Sequence, residues 1–117
     1  MPWRTIRTGA SLLFVLLGAA CSSPALVSVE VSRTTTGHHL RLVPTHGARI
    51  NAKARPAFES ADGRVLFFDA PGITADSTYY TTEPFLDLSD PKPPSGLIRV
   101  GVCPAGERVC RVVTLKL

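Results

Sequence analysis

The chain has 117 residues, three of them cysteine, and a formal charge of +4. That length holds one small domain, or one domain behind a leader, and excludes a multidomain enzyme. No Lys/Arg cluster is interleaved with aromatic residues, so nucleic acid is not expected as a partner.

The N-terminus has the three parts of an export signal. Arg4 and Arg7 make a positive start. Ala10 to Ala20 is uncharged and mostly apolar, and at eleven residues it falls short of the roughly 20 that a bilayer-spanning helix needs. Gly18-Ala19-Ala20 then supplies small residues before Cys21. Residues 1–20 are therefore expected to be a cleaved signal peptide. Small residues followed by cysteine resemble the lipobox of bacterial lipoproteins, although the position three before the cysteine, usually branched and apolar, is Gly18, with Leu17 one place earlier. The resemblance implies that Cys21 is the first, lipid-bearing residue of the mature chain. It also implies a protein anchored in the cell envelope and facing the periplasm. Ser22 after the cysteine resembles lipoproteins sorted to the outer rather than the inner membrane. Removing the signal leaves 97 residues and a formal charge of +2, because Arg4 and Arg7 go with it. Residues 21–24 then form the lipidated cysteine and a tether, and residues 25–117 one domain.

Within that domain Val27, Val29 and Val31 alternate with Ser28, Glu30 and Ser32, the period of a half-buried strand. Thr34 to Gly37 predicts a turn. Leu40 and Leu42 alternate with His39 and Arg41 in a second strand that Pro44 ends, and His46-Gly47-Ala48 predicts another turn. Pro56 to Ser60 reads as a short strand, Ala61-Asp62-Gly63 as a turn, and Val65 to Asp69 as a strand beyond it. Pro71 to Tyr80 carries no pattern. Phe85 to Leu88 reads as a strand and Asp90 to Gly96, with three prolines, as a loop. Leu97 to Cys103 and Val109 to Leu117 are the closing β-rich runs. Short strands between turn signals, with no helical period of useful length, predict an all-β fold: a small antiparallel β-sandwich, immunoglobulin-like in kind.

The chemistry centres on Cys103 and Cys110, the pair left once Cys21 carries lipid. Pairs of this kind persist in oxidising compartments. Gly106-Glu107 suits a two-residue type II′ turn, which wants glycine first. Cys103 then faces Cys110 across a hydrogen-bonded pair, with a Cα separation of about 5.5 Å, within disulfide range. The same register pairs Ile98 with Leu115 and Val100 with Val113 on an apolar face. Both cysteines fall on the opposite, outward face with Gly101, Arg99 and Lys116, where the two cations favour thiolate formation. A three-residue turn would shift one strand and swap its faces. The spacing alone leaves two roles open. One is a structural staple, which in so small a loop contributes about 2–3 kcal/mol in the chain-entropy model. The other is a redox-active pair.

The chain also resembles the N-terminal periplasmic domain of the DsbD family of thiol:disulfide interchange proteins. One part of the resemblance is the segment Leu40-Arg41-Leu42-Val43-Pro44-Thr45-His46-Gly47-Ala48-Arg49-Ile50-Asn51, similar to a strand ending in that family's Gly-aromatic-basic/His-Ile-Asn turn, with Ala48 where the aromatic usually stands. The other parts are the closing strand pair with a cysteine on each, and the size, β character and export signal. The resemblance implies an immunoglobulin-like sandwich in which Cys103 and Cys110 exchange with thioredoxin-like or other periplasmic thiol proteins. It also implies an aromatic cap over the cysteines, for which Phe67-Phe68-Asp69 and Tyr79-Tyr80 are the candidates. No membrane or thioredoxin domain follows on this chain to complete a relay.

Other constellations point elsewhere. His38, His39 and His46 lie close in sequence, but neighbours in a strand point to opposite faces. No Cys-x-x-Cys or His-x-x-x-His spacing occurs, so no metal and no cofactor is expected. Ser22, Ser28, Ser32 and Ser60 lack a nucleophile-elbow context. Two functions remain: a thiol:disulfide exchange module, or a lipid-anchored binding or structural module whose disulfide only staples the fold.

Overall fold

A computed structural model describes residues 25–117. The expected signal peptide, lipidation of Cys21 and tether fall on residues 1–24, outside the described residues. The domain is all-β, with every strand pairing antiparallel. The strands are β1 (Val27–Arg33), β2 (His38–Pro44), β3 (Arg49–Ile50), β4 (Ala57–Ser60), β5 (Val65–Phe67), β6 (Phe85–Leu88), β7 (Gly96–Cys103) and β8 (Arg111–Lys116). One sheet has the order β1-β2-β6. In the other, β7 is central: β4 and β3 follow one another along one of its sides, β8 covers the other, and β5 is outermost beyond β4.

The alternation of side chains explains the sandwich. Val27, Leu40, Leu42 and Leu86 from the first sheet and Ile50, Phe58, Ile98, Val100 and Val102 from the second form one buried cluster, with Phe68 completing it. The β1 alternation weakens along the strand. Val27 is buried and Val29 packs against the core, but Val31 is 44% exposed, on a strand with a ladder neighbour on one side only.

Turns fall where Gly and polar residues predicted them. The Thr34 amide donates to the Gly37 carbonyl at 2.9 Å and the Gly37 amide to Thr34 Oγ1 at 3.0 Å. Gly37 has no room for a side chain, since a Cβ there would lie 1.8 Å from the Leu88 carbonyl oxygen. In the Thr45–Ala48 turn, the Ala48 amide donates to the Thr45 carbonyl at 3.0 Å, with His46 and Gly47 at positive φ. The two-residue strand β3 begins directly after this turn. Its alternation, Arg49 out and Ile50 in, is too short to register as a period. Tertiary pairing to the end of β7 makes it a strand.

The β7–β8 register is the one predicted: Ile98 pairs with Leu115, Arg99 with Thr114, Val100 with Val113 and Gly101 with Val112. The turn is not. The closing bond runs from the Glu107 amide to the Pro104 carbonyl at 3.2 Å, around Ala105 and Gly106, rather than around Gly106 and Glu107. The ladder stops at Val102–Arg111, and Arg108 to Cys110 continue without strand geometry.

Candidate functional site

Cys103 and Cys110 form a disulfide. Their Cα atoms are 4.1 Å apart, nearer the spacing of a non-hydrogen-bonded pair, about 4.5 Å, than the 5.5 Å expected of the two-residue turn. Cys103 is the last residue of the central strand. Arg49 of β3 flanks it on one side and Cys110 on the other. By parity it belongs to the outward face, with Gly101 and Arg99, opposite the buried Ile98, Val100 and Val102.

Facing outward does not make it accessible. Cys103 is only 3% exposed, whereas Cys110 is half-buried. Central position explains the difference: Cys103 has chain on both sides and buried Pro104 after it, while Cys110 stands beyond the end of its ladder. Around Cys110 the surface is apolar, with Val109 70% and Val112 73% exposed.

The cations differ from the expected ones. Arg99 is four residues from Cys103 along β7, about 13 Å at strand rise, and lies 3.9 Å from Glu59. Lys116 is opposite Leu97, farther still. At those separations salt screens most of the interaction. The cationic residue that the register places directly across from Cys103 is Arg49, and Arg111 follows Cys110 directly in the chain. The position of Arg49 follows only from the β3–β7 pairing, and no local period marks it in the sequence.

Arg49 is itself placed by the segment that had no readable pattern. Thr78 to Tyr80 runs along the free side of β3: the Ala52 amide donates to the Thr78 carbonyl at 2.8 Å and the Tyr80 amide to the Ile50 carbonyl at 3.0 Å. Asn51 and Tyr79 form a β-bridge, and the Arg49 guanidinium lies 3.9 Å from the centre of the Tyr79 ring. Of the two aromatic candidates, Tyr79 is therefore beside the cysteine end. Phe67 is on the same sheet face, but two strands from β7 and below the Arg55 guanidinium. Phe68 is in the core.

Asp76 holds the turn that presents Tyr79. It accepts from the Thr74 hydroxyl at 2.6 Å and the Thr78 amide at 3.1 Å, which keep its carboxyl below the usual carboxylate range. Because the folded value lies below the unfolded one, this contribution is complete above the ordinary Asp pKa, about 3.9, and is lost as pH falls through the folded value. The Tyr79 amide, bound to Thr74 Oγ1 at 3.1 Å, should then exchange faster with solvent as the pH is lowered below about 4 than the acid catalysis of exchange alone predicts. An exchange rate that follows the unstructured-peptide curve would detach the turn from this carboxylate.

The histidines are apart. His38 is buried and its Nδ1 donates to the Asp90 carbonyl at 3.1 Å, whereas His39 faces the other way, 2.6 Å from Asp87 and stacked on Phe85. His46 is in the exposed turn. At the opposite end of the sandwich from the cysteines, a cleft of about 620 Å³ opens between the β4–β5 tip and the loop before β7. Phe58, Leu66 and Leu88 form its apolar side and Asp62, Arg64 and Lys92 its charged rim. The Asp62 carboxyl is held below the usual range first by the Ser60 hydroxyl, then by the Arg64 amide.

The chain matches no family model, no curated protein and no solved structure.

Proposed function

We propose that this protein is an exported, lipid-anchored thiol:disulfide exchange module, acting through Cys103 and Cys110. The observation that carries the reading is the unequal exposure of the pair, with Cys110 reachable at an apolar surface and Cys103 buried beside Arg49. In the exchange, the thiolate of a reduced periplasmic partner attacks Sγ of Cys110. The Cys103–Cys110 bond breaks as the mixed disulfide forms, and Cys103 leaves as a thiolate on the residue paired with Arg49, whose positive charge favours it. A second partner thiol, deprotonated, attacks the mixed disulfide at the partner sulfur and releases the Cys110 thiolate. The partner ends oxidised and this pair reduced, by two electrons. Run in reverse against an oxidised protein, the same steps return the disulfide.

Anchoring in this reading comes from Cys21, with the signal peptide removed and the domain facing the periplasm, more consistent with the outer membrane than the inner. The specific observation in favour of the alternative, a lipid-anchored binding or structural module, is the 3% exposure of Cys103. A sulfur so covered is the usual condition of an inert staple.

The reduction potential separates the two. Equilibration in glutathione or dithiothreitol buffers, acid trapping and mass analysis should give a value between about −270 and −120 mV, the range of dedicated exchange proteins. A value well below about −300 mV leaves only the structural disulfide. Arg49→Gln should make the potential more negative by about 10–20 mV, the equivalent of roughly 0.5–1 kcal/mol from an exposed charge. An unchanged potential in that variant removes Arg49 from the mechanism.

A further inference from the structure

The described chain begins at the same end of the sandwich as the cysteine hairpin. The Thr45 amide donates to the Leu26 carbonyl at 2.9 Å, and the Thr45 hydroxyl to the Ala25 carbonyl. Two residues on, Gly47 lies so close to the hairpin that a Cβ there would be 3.2 Å from Ala105 Cβ. Arg49, next after Ala48, is opposite Cys103. Ala25 and the hairpin tip are thus joined through one short turn. The other end, marked by the Ser60–Gly96 pair, is seven residues down β7 from Cys103, about 23 Å at strand rise.

Three residues lie between Cys21 and Ala25, and the four Cα–Cα steps from one to the other span at most about 14 Å. The tether is therefore shorter than the sandwich is long. The surface that the hairpin would present is suited to lipid. Val109 and Val112 are the two most exposed of the large apolar residues described. Within residues 103–112, Arg108 and Arg111 stand against the single acid Glu107, which is engaged with Arg111 at 3.1 Å. Arg49 adds a further exposed cation at the same end.

We infer that the cysteine hairpin is the membrane-facing end of the domain and rests on the surface of an anionic phospholipid bilayer. Val109 enters the headgroup layer, and Arg108 and Arg49 meet lipid phosphates. The inference rests on the lipid anchor proposed above and adds an orientation that the anchor alone leaves free. The pairing of exposed apolar and basic groups is that of interfacial membrane contacts, and basic side chains near an anionic surface add electrostatic attraction to it. It follows that the disulfide exchanges with a partner that itself reaches the membrane surface.

The test uses the full-length chain, processed in a bacterial host and reconstituted in phosphatidylethanolamine–phosphatidylglycerol vesicles doped with lipids brominated high on the acyl chain. Trp3 leaves with the signal peptide, so the mature chain has no tryptophan of its own. One is introduced at the hairpin (Val109→Trp) or at the far end (Ala61→Trp), both at exposed positions. The Val109→Trp emission should be quenched at least about threefold more than the Ala61→Trp emission, as expected of a side chain at headgroup depth. Mass analysis of the same samples reads the acyl groups on Cys21. An acylated chain with equal or reversed quenching overturns the orientation and spares the anchor. A chain without acyl groups overturns both.

Discussion

Cys110 in the Cys103→Ser protein is expected to react with a small aromatic disulfide at least about tenfold faster than Cys103 in the Cys110→Ser protein, since accessibility gates thiol exchange. Both variants lose the same staple, so the comparison isolates position. Without the bond, Cys103 is still the last residue of β7, opposite Arg49 and beside buried Pro104. Cys110 lies outside the β7–β8 ladder, so losing the bond frees it further. Stopped-flow absorbance of the released aromatic thiol, at equal pH and with thiolate fractions measured separately, checks the ratio. Equal rates would mean that burial of Cys103 depends on the bond itself. A reversed ratio would move the attacked sulfur to Cys103 and remove the argument for Arg49 as the cation beside the leaving group.

The second large effect is on stability. Phe58 is 2% exposed on β4, between β5 and the central strand. Replacing a buried Phe with Ala costs about 3–5 kcal/mol in transfer and cavity terms. Phe58 also lines the open cleft, so water can reach the vacated space and part of the cavity term is relieved. Phe58→Ala should therefore lose about 3 kcal/mol, at the low end of that range. For a domain of this size the whole stability is of the order of 5–10 kcal/mol. Denaturant unfolding with a shared slope measures the loss. A loss below about 1 kcal/mol would show that this end of the sandwich contributes little to the core.

The outward faces of the two sheets differ. On the three-stranded sheet, Arg41 sits across from Glu30 and within 3.2 Å of Glu83, and His39 is beside Asp87, an ordinary solvated face. The five-stranded sheet exposes Val65, Phe67 and Val112 on the face that carries the disulfide. Val65 and Phe67 on β5 and Val112 on β8 stand at opposite edges of that sheet, with Glu59 and Arg99 between them.

Much of the fold is written locally. Strands β1, β2, β7 and β8 are legible because each runs for six or more residues rich in β-formers, and in β1 and β2 period two admits one face inward. The register of β7 against β8 agrees with the one expected, although the Gly106-Glu107 turn expected to set it is replaced by a turn around Ala105 and Gly106. Gly47 and Gly63 announce turns through the positive φ they adopt, and Gly37 through the close approach of the Leu88 carbonyl.

What only the tertiary structure decided has a common physical cause: it depends on neighbours distant in sequence. Strand β3 is two residues long and exists because β7 offers it a ladder. Arg49 becomes the residue opposite Cys103 through that pairing, while Arg99 and Lys116, on the right face by parity, are too far along the strands to matter. Tyr79 reaches the site because a patternless loop folds back along β3. The burial of Cys103 and partial exposure of Cys110 are a matter of central against peripheral position, which alternation does not encode: parity tells which way a side chain points, and not what lies on top of it.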